Sequence, residues 1–401
     1  MARIANRISL KLKEAAGQYG TGAAYNILKD ALKAQTFRKE DISLLEMAGS
    51  FMGEGWEDKL TRFYQHGANP VYLRETADAV DASQFVTIGG QLLIDMVRDM
   101  YKFATQISDK LITVIPTGKN LGTHIEPWLS YVLDEARVVE QLQPFPFTQF
   151  TYQYVTYPAP VKKGEICAVG IEMIQADKTQ QAFEAANSVG LRAGLQHHKD
   201  RMRVILGIIN NHSFNGTGYN TYQTASPWIN KLTDFVLQDW KSVNRIEQLF
   251  NQMQDPVTGE VIDVQGNGAL VMPFQKYLMK RILSATETRS GNVAGSPGDQ
   301  VISPNPLENT YTMYVDKHSR KLLVNEGGLT AAQADTVCIF GDFKKAFVER
   351  EVVPMTTIQA APNNIWEFTR DIALAVRVKM HYVVGVRDPR YVVYGYNSSA
   401  T

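Results

Sequence analysis

A long period-two run near the C-terminus constrains this chain more than any other feature of its 401 residues. From Ile372 onward Leu374, Val376, Val378 and Met380 are apolar, and Asp371, Ala373, Ala375, Arg377, Lys379 and His381 alternate with them. Successive side chains of a strand point to opposite faces, so the pattern sets one face on a core and turns the other to solvent or a partner. Before it stands GDFKKAFVEREVVP, a strand rich in both signs of charge; after it VRDPRYVVYGY reads as a turn and a short last strand. Nothing from Cys338 to Tyr396 has the shape of a catalytic motif. So long a half-polar strand pair is expected of a building block whose outer face meets copies of itself.

Lys plus Arg number 41 and Asp plus Glu 41, a net charge of zero. Dedicated nucleic-acid readers are usually basic, because neutralising phosphates supplies most of their affinity. The balance argues against such a reader and is compatible with a neutral wall around nucleic acid. Cys167 and Cys338 lie far apart in apolar runs and read as buried free thiols, with no histidine pair at ligand spacing to make a zinc site. The segment MARIANRISLKLKEAAGQ lacks the apolar stretch of a secretory signal, and no run approaches the roughly 18 apolar residues of a membrane span. The expectation is a soluble, non-secreted protein.

Residues 1–80 read as helical: Ala24, Ile27, Leu28, Ala31 and Leu32 fall at three-four spacing, as do Trp56, Leu60, Phe63 and Tyr64. A further helix is expected near Gln91 to Ala104, leading to the strand LITVIPTG. From Gly122 to Pro160 the chain turns extended, with Phe150, Tyr152 and Tyr154 alternating with Thr151, Gln153 and Val155, which predicts a long two-stranded excursion. The longest helical pattern runs from Lys178 to Asn210, about 45 Å at 1.5 Å per residue, with Phe183, Ala186, Leu191, Leu195, Met202, Ile205 and Ile209 on one stripe. It ends in NNHSFNGTGYN. A helix through Trp240, Val243, Ile246 and Phe250, a buried strand ALVM and a helix opening on Pro273 follow. Residues 284–309 read as a Gly/Ser/Pro-rich loop.

No constellation carries chemistry. His197 and His198 are adjacent, so on a helix they point about 100° apart and do not converge on one ion; they are expected on the helix surface. Gly20-Thr21-Gly22 lacks a preceding strand and third glycine, and Gly118-Lys119 lacks the rest of a phosphate loop. Asp78 and Asp81 read as a cap or solvated turn in linker sequence. The Lys162-Lys163 and Lys344-Lys345 pairs read as solvated. Neither a catalytic site, a metal nor a cofactor is expected.

The order of these elements resembles the major capsid protein of tailed bacteriophages, whose fold is shared with encapsulins and the herpesvirus capsid floor. The resemblance runs from about Ile107 onward: the excursion Leu121 to Pro160, the helix Lys178 to Asn210, the turn Asn215-Gly216-Thr217-Gly218, then ALVMPFQKYLMKRI, then Gly341-Asp342-Phe343 through Met380 and a closing strand Arg387 to Tyr396. It implies an α+β fold with an N-terminal arm, an extended β loop, a long spine helix, a peripheral and an axial domain. On that reading 1–80 is a helical arm or assembly segment and 81–121 continues it into the peripheral domain. The loop is 122–160, the spine-helix region 161–225, the axial domain 226–340, the long hairpin 341–380 and the closing strand 381–401. Some members crosslink their subunits through a Lys, an Asn and a Glu; Asp371 and Val378 stand near where the Asn and Glu would be, which implies a noncovalent shell.

The resemblance also implies a function: self-assembly into an icosahedral virion shell around double-stranded DNA, put together in the host cytoplasm. Its partners would be identical subunits in hexamers and pentamers, DNA enclosed nonspecifically, and portal, scaffolding or decoration proteins, with no membrane. Phe150, Tyr152, Tyr154, Arg377 and Lys379 are the candidate inter-subunit contacts, the aromatics reading equally well as core. Two alternatives stand beside it: an encapsulin-like compartment shell, and a cytosolic α+β enzyme whose site is assembled from scattered residues.

Overall fold

Apolar residues three and four apart build five helices among the described residues of the first 105: Ala2–Tyr19, Thr21–Lys33, Leu44–Met52, Trp56–His66 and Thr76–Thr105. The computed structural model describes residues 2–34, 43–66, 76–118, 120–128, 139, 143, 153–210, 212–256, 259–290, 301–360 and 372–400. The fold is α+β, and the chain divides into two compact units made of interleaved segments. The first takes Met1–Thr105, Lys162–Gln196 and Val353–Met380; the second takes Gln106–Val161, His197–Val352 and His381–Thr401.

In the first unit Leu12, Ala16, Ala24, Leu28, Leu44, Met47, Phe51, Leu60 and Phe63 are all buried, while Ile27, which spacing alone puts on the same stripe, is 51% exposed. Ser43 caps the Leu44–Met52 helix by accepting from the Glu46 amide, and the Leu44 amide donates to Thr179 Oγ1 at 2.8 Å. The helix expected from residue 91 begins at Thr76 and runs for 30 residues, longer than the 27-residue Thr179–Ile205 helix that had looked longest. Burial explains the difference: Ala82, Phe85 and Ile88 are fully covered, and their packing carries the helix through sequence that reads as polar linker. Asp78 and Asp81 therefore lie within a helix, and Asp81 pairs with Lys13 at 3.2 Å.

Leu191 and Leu195 are only half-buried; the close face between the Thr179–Ile205 and Thr76–Thr105 helices is made instead by Gly190 and Gly194. A Cβ on Gly190 would stand 2.3 Å from the Val97 carbonyl oxygen, and one on Gly194 would stand 2.7 Å from Ala104 Cβ and 2.8 Å from the Tyr101 carbonyl oxygen. Backbone cannot yield as a side-chain tip can. Gly190→Ala is therefore expected to destabilise by about 2 kcal/mol despite alanine's better helix propensity. Gly17→Ala, in a helix with nothing within 4 Å of the added carbon, is expected to stabilise by about 0.5 kcal/mol. Urea melts of the two variants check the opposite signs.

The second unit centres on a five-stranded sheet in the order Thr312–Val315, Gly268–Val271, Cys338–Gly341, Val392–Gly395, Lys231–Leu232. Cys338 pairs with Val271 on one side and Gly395 on the other, so the closing strand enters beside a strand more than fifty positions earlier. All four residues of Gly268–Val271, Cys338–Gly341 and Val392–Gly395 are buried. The Trp240–Asn251 helix, started by an Asp239–Ser242 capping box, covers the sheet with Val243, Ile246 and Phe250. The Lys276–Ser284 helix covers it with Met279, Ile282 and Leu283. Cys167 and Cys338 are buried free thiols.

A second sheet in this unit joins His124–Trp128, Gln153–Tyr157, Ser213–Phe214 and Thr217–Gly218. The first two are antiparallel with His124 opposite Tyr157 and Trp128 opposite Gln153, the base of the expected excursion. Asn215 (φ 50°) and Gly216 (φ 81°) form the two-residue turn between the last two strands, where both positions need the left-handed conformation that Asn-Gly adopts most readily. The 284–309 segment is not all loop: Glu287–Ser290 and Val301–Pro304 pair antiparallel.

The long C-terminal strands are Phe347–Gln359 and Ile372–Val386, hydrogen-bonded neighbours. In the second unit Thr113–Pro116 lies parallel to Val348–Glu351. In the first, Val161–Gly170 flanks Ile372–Val386 so closely that a Cβ on Gly164 would stand 2.4 Å from the Val378 carbonyl oxygen. Leu374, Val376, Val378 and Met380 are buried and Arg377 is exposed, the alternation read from sequence. From Tyr382 to Val386 every residue is buried, so both faces are covered there.

Candidate functional site

The densest polar cluster lies where the Thr179–Ile205 helix enters the second unit. His197 and His198, expected on the surface, are 3% and 1% exposed. The correction has a physical cause: each ring reaches its own buried carboxylate, in the divergent directions that adjacent helical positions impose. His197 Nε2 lies 2.8 and 3.0 Å from the two Glu349 carboxylate oxygens. His198 Nε2 lies 3.0 Å from Asp316, whose other oxygen accepts from the Ser319 amide and hydroxyl. One turn along, Arg201 donates to Glu349, Asp109 and Ser108. Tyr382 stacks at 4.2 Å from the His197 ring and donates to Asp200. Among the described residues no group of three or more His, Cys, Asp and Glu could hold a metal ion.

Burial pushes His197 below its ordinary value of 6.5, against the raising effect of Glu349, and it does the same to His212, whose Nδ1 faces the Val386 carbonyl at 3.0 Å. Burial opposes ionisation of Glu349 and Asp316 too, but here hydrogen bonds win. His197 and Arg201 hold Glu349 below 4.5, and His198 and Ser319 hold Asp316 at about 2. Groups with depressed folded values contribute stability above their unfolded values and lose it as pH falls. The protein is therefore expected to lose stability in two stages, first below pH 6.5 through the histidines and again below 4.5 through the carboxylates. Urea midpoints between pH 8 and 3 read this directly; a profile flat from 8 to 5 would contradict it. With Glu349 and Asp316 paired and shut from solvent, the cluster fixes the helix against the strand.

A second constellation holds the strand pair His124–Trp128 and Gln153–Tyr157. The Arg390 guanidinium stacks 4.1 Å from the Trp128 ring centroid and donates to Asp388 at 2.8 and 2.9 Å and to Asp255 at 3.3 Å. Trp128 meets Phe214 edge-on at 4.5 Å. On the neighbouring position Glu126 accepts from Arg350 at 2.6 Å, Arg387 at 2.9 Å and the Tyr157 hydroxyl at 3.0 Å, with Arg350 over the Tyr157 ring. Three arginines, Arg390, Arg350 and Arg387, thus grip the two strands through Trp128, Glu126 and Tyr157.

Of the sequence-derived contact residues, Phe150 and Tyr152 lie outside the described residues, as does Asp371. Tyr154 is half-buried on Gln153–Tyr157, opposite Pro127, and its amide donates to Asn215 Oδ1. The buried face of that strand carries Gln153, Val155 and Tyr157. Arg377 is exposed and Lys379 half-buried on the polar face of Ile372–Val386. Tyr154 belongs to the second unit and the other two to the first. Sequence reading missed Glu349 and Arg350, which look like solvated charges in VEREVV and are 0% and 7% exposed. It also missed Phe274 and Tyr277, which look like core and are 81% and 76% exposed.

No family model matches the chain, and no curated protein does. Among solved structures it is similar to one titled Gordonia phage Cozz, at 14% identity over 73% of this chain and 86% of that one, with a TM-score of 0.43. A capsid of a native GTA particle matches at 9% identity over 74% and 91%, TM-score 0.44. A virus-like particle from Pyrococcus furiosus matches at 10% identity over 75% and 98%, TM-score 0.38. These TM-scores lie below 0.5, so the functional reading rests on the chain's own geometry.

Proposed function

We propose that the chain is a major capsid protein of a tailed bacteriophage, a subunit that closes noncovalently into an icosahedral shell around double-stranded DNA. The observation that carries this reading is the order of elements. The antiparallel pair His124–Trp128 and Gln153–Tyr157 is followed by a 27-residue helix, an Asn-Gly turn, a five-stranded sheet with a Pro-led helix, and paired strands of 13 and 15 residues, whose continuation closes the sheet. That is the order the sequence resemblance calls for. The chemistry agrees: buried charges are paired for rigidity, and net charge is zero, so like copies pack without long-range repulsion. Tyr154, Arg377 and Lys379 are assigned to contacts between copies, and the N-terminal helices to a retained arm. Many modest interfaces, each repeated by symmetry, then sum to a stable closed shell.

The full chain expressed alone and imaged by negative stain beside native material tests this. Closed shells from the chain, and DNA-filled shells in native material, support the reading. Protein-filled shells would replace it with a compartment, and a monodisperse small oligomer under all conditions would overturn it.

A further inference from the structure

Phe274 and Tyr277 are the most exposed large apolar side chains among the described residues, and they are not on a loose loop. Pro273 opens the turn Pro273–Gln275 and the Lys276–Ser284 helix continues it, with Met279, Ile282 and Leu283 in the core of the second unit. Residues three apart on such a turn share a face, so the two rings stand as a fixed ridge. Lys276 lies 5.4 Å over the Tyr277 ring, and Lys276, Lys280 and Arg281 are all exposed. Residues 273–284 contain three basic and no acidic residues, a local charge of +3. A rigid aromatic pair rimmed by cations is the composition of an interface core, not of ordinary solvated surface.

The same unit carries a surface of complementary character in the residues that precede Gly268–Val271. Gln254 and Val261 bridge antiparallel ahead of that strand, and Val261 is 58% exposed between exposed Glu260 and Asp263. Residues 254–267 contain three acidic residues and no basic one; Asp255 is buried against Arg390, which leaves two carboxylates outward. One surface is aromatic and basic, the other aliphatic and acidic. Two different patches on one molecule favour a head-to-tail contact, and a head-to-tail contact that closes makes a ring.

We propose that the Phe274–Tyr277 ridge of one copy docks on the Val261 turn of a second copy, with Lys276 and Lys280 opposite Glu260 and Asp263. Copies then join head to tail around a ring. This rests on the shell reading and names the surface that would build its rings. Aromatic burial supplies the hold, and the charges set direction and exclude the reversed pairing.

The test uses the full chain carrying Val261→Cys with Tyr277→Cys, the two native thiols being buried. Mild oxidation is expected to give a non-reducing gel ladder that ends at one closed ring size, and neither single variant gives one. Lys276→Glu with Lys280→Glu, added to the cysteine pair, is expected to cut the ladder about tenfold, as is Glu260→Lys with Asp263→Lys; all four reversals together restore it to within about twofold. Unchanged near-ultraviolet circular dichroism shows that each variant folds. A ladder absent from the double variant, a dimer from either single variant, or reversals without effect overturns the contact. If wild-type shells form while the ladder fails, this contact is wrong and the shell reading stands; if the ladder forms and no shell ever does, the reverse holds.

Discussion

Glu349→Ala is expected to cost about 3–5 kcal/mol, enough to remove much of a typical domain's total stability of about 5–15 kcal/mol. Glu349 is 0% exposed and receives both His197 and Arg201, each 3% exposed. Without it the guanidinium keeps only Asp109, which is half in solvent, and Ser108. The loss measures an orphaned buried cation more than the worth of the ion pair. Replacing both partners should therefore hurt less than replacing one. Glu349→Leu with Arg201→Met is expected to recover more than half of the loss, since apolar groups of similar volume need no partner. The His197 ring loses its Glu349 acceptor in both variants, so that part of the loss remains. Urea midpoints and soluble yield decide it. Equal losses in the single and double variants would show that packing, not charge, dominates here.

The sequence exposes elements whose periodicity is set by one buried face and hides those set by tertiary contact. Leu374 to Met380 alternate because the sheet covers one side, and spacing alone reveals that. The same logic places Val243, Ile246 and Phe250, and the Pro273 start. It fails at Gly190 and Gly194, where the close face is made by having no side chain at all, so the hydrophobic stripe drifts onto Leu191 and Leu195. It fails again at His197, Arg201 and Glu349. Charged residues read as solvent-facing unless their partners are known, and those partners lie 148 and 152 positions away. The exposed pair Phe274 and Tyr277 is the mirror case: nothing in KYLMKR says which apolar residue stays outside, because that depends on which face Met279 and Ile282 claim for the sheet.

Arg390 carries the second large effect. It is 3% exposed, forks across Asp388, reaches Asp255 and stacks on Trp128. Arg390→Ala is expected to cost about 3–5 kcal/mol, because Asp255, whose side chain is fully buried, and Asp388 both lose the cation they face. Arg390→Lys keeps the charge and is expected to regain less than half, since an ammonium cannot both bridge two carboxylates and lie flat on an indole. The comparison separates charge from shape: full rescue by lysine would mean that only the positive charge matters. Trp128 ends the His124–Trp128 strand, so the stacked guanidinium holds the point from which the expected excursion starts. If that excursion reaches a neighbouring copy, its base must be fixed before its far end can be placed, as in any preorganised contact. Arg390→Lys is then expected to keep a folded subunit, by circular dichroism, yet lower the yield of closed shells by about tenfold or more, because a small loss at each contact recurs at every copy.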